Sequence, residues 1–343
     1  MMPAEWEPHS ATWIAWPHNR ADWPGKFPPI PWVYAEIVRK LLPHEKVRML
    51  VNTAGDEAKV RRILSKAGAL SADVQFFPIP TNRTWARDFG PVYVRQAPPG
   101  AMAIAGFRFT AWAKYPDFEL DREVARRVAD VTGRAFLPAD FLGSPFVLEG
   151  GSIDVNGRGS LLTTEECLLD TDVQVRNPGA TRADAEGVLA RALGARNVLW
   201  LGRGIAGDDT HGHVDDLCRF IGPAAVVLCQ EPDPADANHR TLEENREKLE
   251  GLRLEDGSRL EIARLPMPAP LFHSGQRLPA SYANFYIANG TVLVPTFNDP
   301  MDRTALGIIA DLFPGRSVVG IHAVDLVWGL GTLHCLTQQE PAE

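Results

Sequence analysis

Three stretches in which an apolar run meets a tight-turn signal and doubles back recur at a nearly constant interval, and that interval constrains the fold more than any other feature of the chain. The first runs from Phe146-Val147-Leu148 through Val155, turns at Asn156-Gly157 and returns as Ser160-Leu161-Leu162-Thr163. The second runs from Val214 to Ile221, turns at Gly222-Pro223 and returns as Ala225-Val226-Val227-Leu228. The third is Phe285-Tyr286-Ile287-Ala288, Asn289-Gly290, then Thr291-Val292-Leu293-Val294. Asn-Gly supplies the positive φ angles of a two-residue hairpin. The turns begin at Asn156, Gly222 and Asn289, which lie 66 and 67 positions apart. A longer hairpin, Pro91-Val92-Tyr93-Val94 with Ala103-Ile104-Ala105, turns near Pro98-Pro99-Gly100, about one unit upstream. Helical periodicity follows each hairpin, over 121–131, 182–193, 237–249 and 302–313. Further apolar strands follow at 198–201, 260–263 and 318–321.

A unit of about 67 residues fits five times into 343. Five hairpin-plus-helix units predict an α/β ring, because closure leaves no sheet edge unpaired. The simpler alternative is an α/β protein whose hairpins are spaced by chance. No linker or low-complexity tract divides the chain, so residues 1–343 are read as a single domain.

A hydrophobic content of 45% with 23% charged residues provides ample material for a core. The formal net charge of -8 argues against a phosphate-tracking nucleic-acid binder and suits an acidic cleft that attracts a small cation. The opening Met1-Met2-Pro3-Ala4-Glu5-Trp6-Glu7 has no basic segment followed by an apolar one, and no apolar run approaches the ~20 residues of a membrane helix. No membrane partner is expected. Cys167, Cys218, Cys229 and Cys335 are scattered without a CxxC pair, which suits a reducing, cytoplasmic setting. The first three sit among apolar neighbours and read as small buried hydrophobes.

The residues best suited to chemistry fall just ahead of the turns. Glu149 precedes Asn156 by seven positions, Asp215 precedes Gly222 by seven, and Asp88 lies about eleven before Pro99. Cys335 falls on a strand candidate at 333–337. In a ring, equivalent positions converge on the axis, so Asp88, Glu149, His213, Asp215 and Cys335 would line one central cleft. Gathering three carboxylates, an imidazole and a thiol is costly unless a function uses them.

Each segment also admits a structural reading. Trp85-Ala86-Arg87-Asp88-Phe89-Gly90-Pro91 could be a strand-entry turn with Arg87 paired to a carboxylate. Glu149, ahead of Gly150-Gly151, could be a solvated strand end. If Gly207–Asp216 is extended, His211, His213 and Asp215 share one face and make a zinc or iron site, although neither HExxH nor a cysteine pair accompanies them. Gly329 and Gly331 would let the backbone near Cys335 approach a ligand closely; a buried structural thiol is the alternative.

Seven segments, in order along the chain, together resemble the agmatine deiminase and bacterial peptidylarginine deiminase family. They are Met2-Pro3-Ala4-Glu5-Trp6-Glu7-Pro8-His9, Trp85 to Pro91, Glu149-Gly150-Gly151-Ser152-Ile153, Thr163-Thr164-Glu165-Glu166-Cys167-Leu168-Leu169, Gly212-His213-Val214-Asp215, Ala280-Ser281-Tyr282-Ala283-Asn284-Phe285-Tyr286 and His334-Cys335-Leu336-Thr337-Gln338-Gln339. The resemblance implies the pentein fold, a five-bladed α/β propeller with pseudo-fivefold repeats. It implies Cys335 as nucleophile, His213 as acid/base, and Asp88 and Asp215 on the guanidinium nitrogens with Glu149 assisting. It further implies Trp85 as the substrate-packing aromatic and Asp209 as an acid near the substrate's far end. The expected partner is a small cationic guanidine, with no cofactor and no metal, and a role in polyamine metabolism; a homodimer is compatible with it.

Two segments depart from the pattern. Gly329-Leu330-Gly331-Thr332-Leu333-His334-Cys335 stands where agmatine deiminases usually read Gly-Gly-Gly-Asn-Ile-His-Cys, and Thr110-Ala111-Trp112-Ala113-Lys114 where they read Asn-Ala-Trp-Gly-Gly-Lys.

The residue types fit that chemistry. A guanidinium carbon is a poor electrophile, and carboxylates aligned with its N–H fork hold it in plane by paired charge-assisted hydrogen bonds. A free thiol, with pKa about 8.5, needs a neighbouring cation to ionise at pH 7, and a bound guanidinium or a protonated His213 would serve. Three other readings stay open at this point: a metal-dependent amidine hydrolase on His211, His213 and Asp215; a deiminase or amidinotransferase acting on another guanidine, such as peptidyl-arginine; and a non-catalytic pentein like the ribosome anti-association factors.

Overall fold

In a computed structural model that describes residues 1–97 and 100–343, the repeat is a series of five sheets with one shared plan. Each sheet begins with an antiparallel hairpin; a helix then crosses over and returns the chain as a parallel third strand. In the first, Val92–Arg95 pairs with Met102–Gly106, the helix Val124–Thr132 crosses, and Phe136–Pro138 adds in parallel. The same sequence of events gives Asp154–Val155, Ser160–Thr164, Arg182–Leu193 and Asn197–Leu201. It gives Cys218–Gly222, Ala225–Gln230, Ala237–Gly251 and Glu261–Pro266 in the third sheet. The fourth consists of Tyr286–Ile287, Thr291–Thr296, Met301–Leu312 and Ser317–His322.

The fifth sheet joins the two ends of the chain. The last strand, Thr337–Pro341, runs antiparallel to the first, His9–Ala15, which pairs in parallel with Lys46–Leu50 after the helix Ile30–Leu41. Val74–Phe77 extends this sheet by one strand. Five such units are the pentein arrangement, a five-bladed α/β propeller with pseudo-fivefold repeats.

Local chemistry explains the boundaries. Thr181 caps the helix Arg182–Leu193 in a reciprocal capping box with Asp184, and Gly194 ends it at φ 73. The Asn156-Gly157 and Asn289-Gly290 turns fall where the sequence puts them. The Pro98-Pro99 part of the longer turn lies outside the described residues.

The first arms of the hairpins are shorter than their apolar runs suggest. The segment 146–148 is not a ladder strand; only Val147 bridges, to Arg108. Single helical turns precede the strands instead: Ala86–Phe89, Gly150–Ser152, Val214–Asp216 and Leu333–Leu336. Cys335 therefore sits on a helical turn, and the expected strand at 333–337 starts only at Thr337. The turn carrying Asp88 packs against the turn carrying Cys335 and against Gly150–Ser152, which in turn meets the turn carrying Asp215. No helix among the described residues is long and apolar enough to cross a membrane.

Candidate active site

The single turns exist because their side chains and backbone amides are drawn inward to shared polar partners. Asp88 accepts hydrogen bonds from the Gly151 amide (3.1 Å) and from the Trp112 indole (2.9 Å). That indole is aimed by a left-handed turn in which Ala111, Trp112 and Ala113 hold φ of 47, 59 and 51, a strained backbone for residues with side chains. Gly151 is the point where the site closes. A Cβ there would lie 2.6 Å from His213 Nδ1, 2.8 Å from Asp88 Oδ1 and 3.1 Å from Asp215 Oδ2. Three functional side chains thus converge on one backbone atom, and only glycine leaves them room.

Cys335 is 6% exposed. Its Sγ lies 3.1 Å from the Asn284 side-chain amide, which donates to it, and 3.9 Å from Asp215 Oδ2. Burial, then the charges of Asp215, Asp216 and Asp88, push the thiol well above its ordinary range, so in the empty site it holds its proton. Asp215 receives His334 Nδ1 on Oδ2 at 2.7 Å, while its buried Oδ1 has no hydrogen-bond partner. Burial works against its ionisation, but His334, His213 and Arg219 outweigh it and hold the carboxyl below the usual range. Asp88 is pushed up to about 6, chiefly by burial, which outweighs the attraction of His213.

His213 lies between two acids, with Nδ1 3.8 Å from Asp88 Oδ1 and Nε2 3.6 Å from Glu149 Oε2. Neither nitrogen has a hydrogen-bond partner at closer range. Burial disfavours its charge, yet Asp88, then the neighbouring Cys167 and then Glu149 overcome this and raise the imidazole well above its ordinary value. A buried histidine between two acids is a proton donor in waiting. Glu149 itself is fully buried, gripped by Arg176 Nε at 3.2 and 3.3 Å. Its carboxylate faces His213 and Arg176, and it does not line the open cavity.

That cavity, of about 430 Å³, opens above Cys335 and Asp88. Trp85, Trp112, Tyr115 and Trp328 form its aromatic walls, with Leu330 and Gly331 completing the lining. Asp209 lies at the outer part, where Lys114 pairs with it and Tyr115 donates to it at 2.7 Å.

One sequence expectation fails on local backbone geometry. His211 has φ 65 and Gly212 φ 91, so the segment is a turn and not extended. His211 Nε2 points away to Asp170, 2.8 Å distant, and the His211–His213–Asp215 set does not assemble. Among the described residues the ligand-type atoms that do gather are those of Glu149, Cys167 and His213, and of Asp215, Asp216 and Cys335. The first group is already faced by Arg176; the second sets two buried acids beside the Cys335 thiol. Asn284, His334, Trp112 and Arg176 were not singled out from the sequence for any role. Asn284 and His334 did lie inside recognisable segments, and His334 adjoins Cys335.

Known proteins provide four likenesses. A family model described as Porphyromonas-type peptidyl-arginine deiminase matches residues 1–341. An agmatine deiminase of Ectopseudomonas mendocina is 33% identical over 99% of this chain and 95% of its own. The structure of an agmatine deiminase of Enterococcus faecalis superposes with a TM-score of 0.90 at 30% identity, covering 99% of this chain and 95% of that one. A cysteine-to-serine variant of C. jejuni agmatine deiminase, solved with substrate bound, superposes with a TM-score of 0.86 at 29% identity, over 99% of this chain and 96% of that one.

Proposed function

Because the chain belongs to the Porphyromonas-type peptidyl-arginine deiminase family, we propose that it is an agmatine deiminase, a hydrolase that removes one guanidinium nitrogen as ammonia, acting as one catalytic unit over residues 1–343. The observation that carries this reading is that Cys335 and Asp88 line the floor of one cavity while Asp215, in contact with the Cys335 sulfur, and the doubly flanked His213 are buried behind them and do not line it. Relatives at 30 to 33% identity that span nearly the whole chain bear the name agmatine deiminase.

The planar cation enters against the indole of Trp85. Asp88 and the free Oδ1 of Asp215 accept its N–H groups, and its charge offsets the acids that hold the Cys335 thiol protonated. The thiol then releases its proton to solvent, and the thiolate attacks the guanidinium carbon, forming a C–S bond and a neutral tetrahedral adduct. His213 gives its proton to the departing nitrogen, the C–N bond breaks and ammonia leaves, with an S-alkylthiouronium remaining on Cys335. The neutral His213 next takes a proton from water, which adds to the same carbon. Collapse breaks the C–S bond, returns the thiol and releases the ureido product. From agmatine the products are N-carbamoylputrescine and ammonia. Glu149, held by Arg176, keeps His213 oriented and charged. Asp209 faces the substrate's far end.

The four free cysteines accord with a cytoplasmic enzyme. The test is ammonia release from agmatine, free arginine, methylated arginines and peptidyl-arginine. Stoichiometric ammonia and ureido product from agmatine, abolished in Cys335→Ala, is the expected result; absence of turnover on every guanidine would overturn the reading.

A further inference from the structure

His334 stands between two acids that can only accept. Its Nδ1 lies 2.7 Å from Asp215 Oδ2 and its Nε2 2.8 Å from Glu5 Oε2. A neutral imidazole has one N–H and one lone pair, so it satisfies one carboxylate and turns a lone pair on the other. Both contacts become hydrogen bonds only if both nitrogens carry protons.

The surroundings favour that state over a protonated acid. Glu5 Oε2 also meets Arg87 Nη2 at 3.1 Å, and its Oε1 meets Arg219 Nη2 at 3.0 Å and the Ile287 amide at 2.9 Å. Burial opposes the ionisation of Glu5, but Arg219, His334 and Arg87 together hold it well below the carboxylate range. The other charged groups nearby are Asp154, paired with Arg219 at 2.8 Å, and Asp216, bonded by Asn284 at 3.0 Å. His334 is further fixed through its main chain, with its amide donating to Asn284 Oδ1 at 3.0 Å and its carbonyl accepting from Arg87 Nε at 3.3 Å. An alternating row of charges results: Arg87 and Arg219, Glu5, His334, Asp215. Buried charges are tolerable only in such a row.

We propose that His334 is a positioning residue whose two ring nitrogens bridge Asp215 and Glu5. It occupies Asp215 Oδ2 so that Oδ1 is presented to the guanidinium, and Glu5, itself fixed by Arg87 and Arg219, holds the ring in that orientation. The inference rests on the reading of Asp215 as a substrate-binding acid. It assigns a task to the N-terminal segment, which otherwise lies far in sequence from the chemistry. Arg87, Glu5 and His334 also become one device that links three separate segments to the acid beside the nucleophile.

The experiment pairs two variants with two readouts. His334→Asn keeps a donor near Asp215 but removes the charge; Glu5→Gln removes the counter-charge and keeps hydrogen-bonding capacity. Loss of the clamp on Oδ2 frees Asp215 to turn away from the guanidinium, so KM for agmatine, measured at a pH well above the titration of Asp88, is expected to rise about tenfold with little change in kcat. The second readout is the pH profile of iodoacetamide alkylation of Cys335 without substrate, counted against a Cys335→Ala blank. It is expected to move to higher pH in both variants, because a positive charge near the sulfur is gone.

A merely structural role would lower the melting temperature and leave KM and the alkylation profile in place, and an unchanged KM with an unshifted alkylation profile in folded protein of either variant would overturn the proposal. The alkylation profile does not depend on turnover. A wild type that turns over no guanidine would therefore sink the proposed function while the alkylation shift still decided the role of His334.

Discussion

The floor and the mouth of the cavity use acids in opposite ways. At the floor, carboxylate atoms are left unmatched: Asp215 Oδ1 has no partner and Asp88 is pushed up to about 6. At the mouth Asp209 already has its cation, the part-exposed Lys114, and a hydrogen bond from Tyr115. Unmatched buried acids cost free energy and await a cation, whereas matched ones hold shape. The difference teaches that binding charge is concentrated where the bond is broken. On the proposed reading, the rest of the substrate lies against Trp328, Leu330 and Tyr115.

That contrast can be broken most sharply at the floor. Cys335→Ala is expected to abolish turnover while guanidine binding persists, measured by ammonia release and by calorimetric titration; retained turnover would remove the nucleophile from the account. His213→Gln follows, with kcat reduced by about 10²–10⁴, the usual worth of a positioned acid/base, and a melting temperature near that of the parent. Unfolding instead would make His213 a structural residue.

A smaller effect is expected at Asp88. Because burial raises it to about 6 in the free enzyme, it carries a proton below that pH and binds the cation poorly. The kcat/KM profile is therefore expected to fall as pH drops through about 6. Asp88→Asn should flatten that limb and raise KM about ten- to a hundredfold, the worth of a hydrogen bond between charged groups. An unchanged limb in the variant would assign it to another group.

The smallest effect is expected at the mouth. Leu330 lines the wall at φ 69, a backbone conformation that suits glycine. Leu330→Gly should relieve strain of about 1 kcal/mol and raise the melting temperature slightly. KM for agmatine should shift by only a fewfold, with kcat unchanged. A large loss of kcat would mean that the mouth takes part in chemistry, and the division between the two regions would fail.

Much of the architecture was legible because it depends on local signals. The two Asn-Gly turns and the apolar periodicity of 182–193 are contained within a dozen residues each. The single turns at 150–152, 214–216 and 333–336 were not legible, since three or four residues carry no period. Their conformation is set by distant partners such as the Asp88 carboxylate on the Gly151 amide. The same is true of Glu5 and His334, separated by 329 residues yet in contact. His211 failed as a ligand because a glycine beside it permits the left-handed turn that swings its ring to Asp170.

Mass spectrometry of enzyme acid-quenched within a few turnovers of agmatine addition tests the central claim most directly. A mass gain equal to the substrate less ammonia, located on the peptide that contains Cys335 and absent in Cys335→Ala, is the predicted result. Full turnover with no such adduct, or an adduct on another residue, would contradict it.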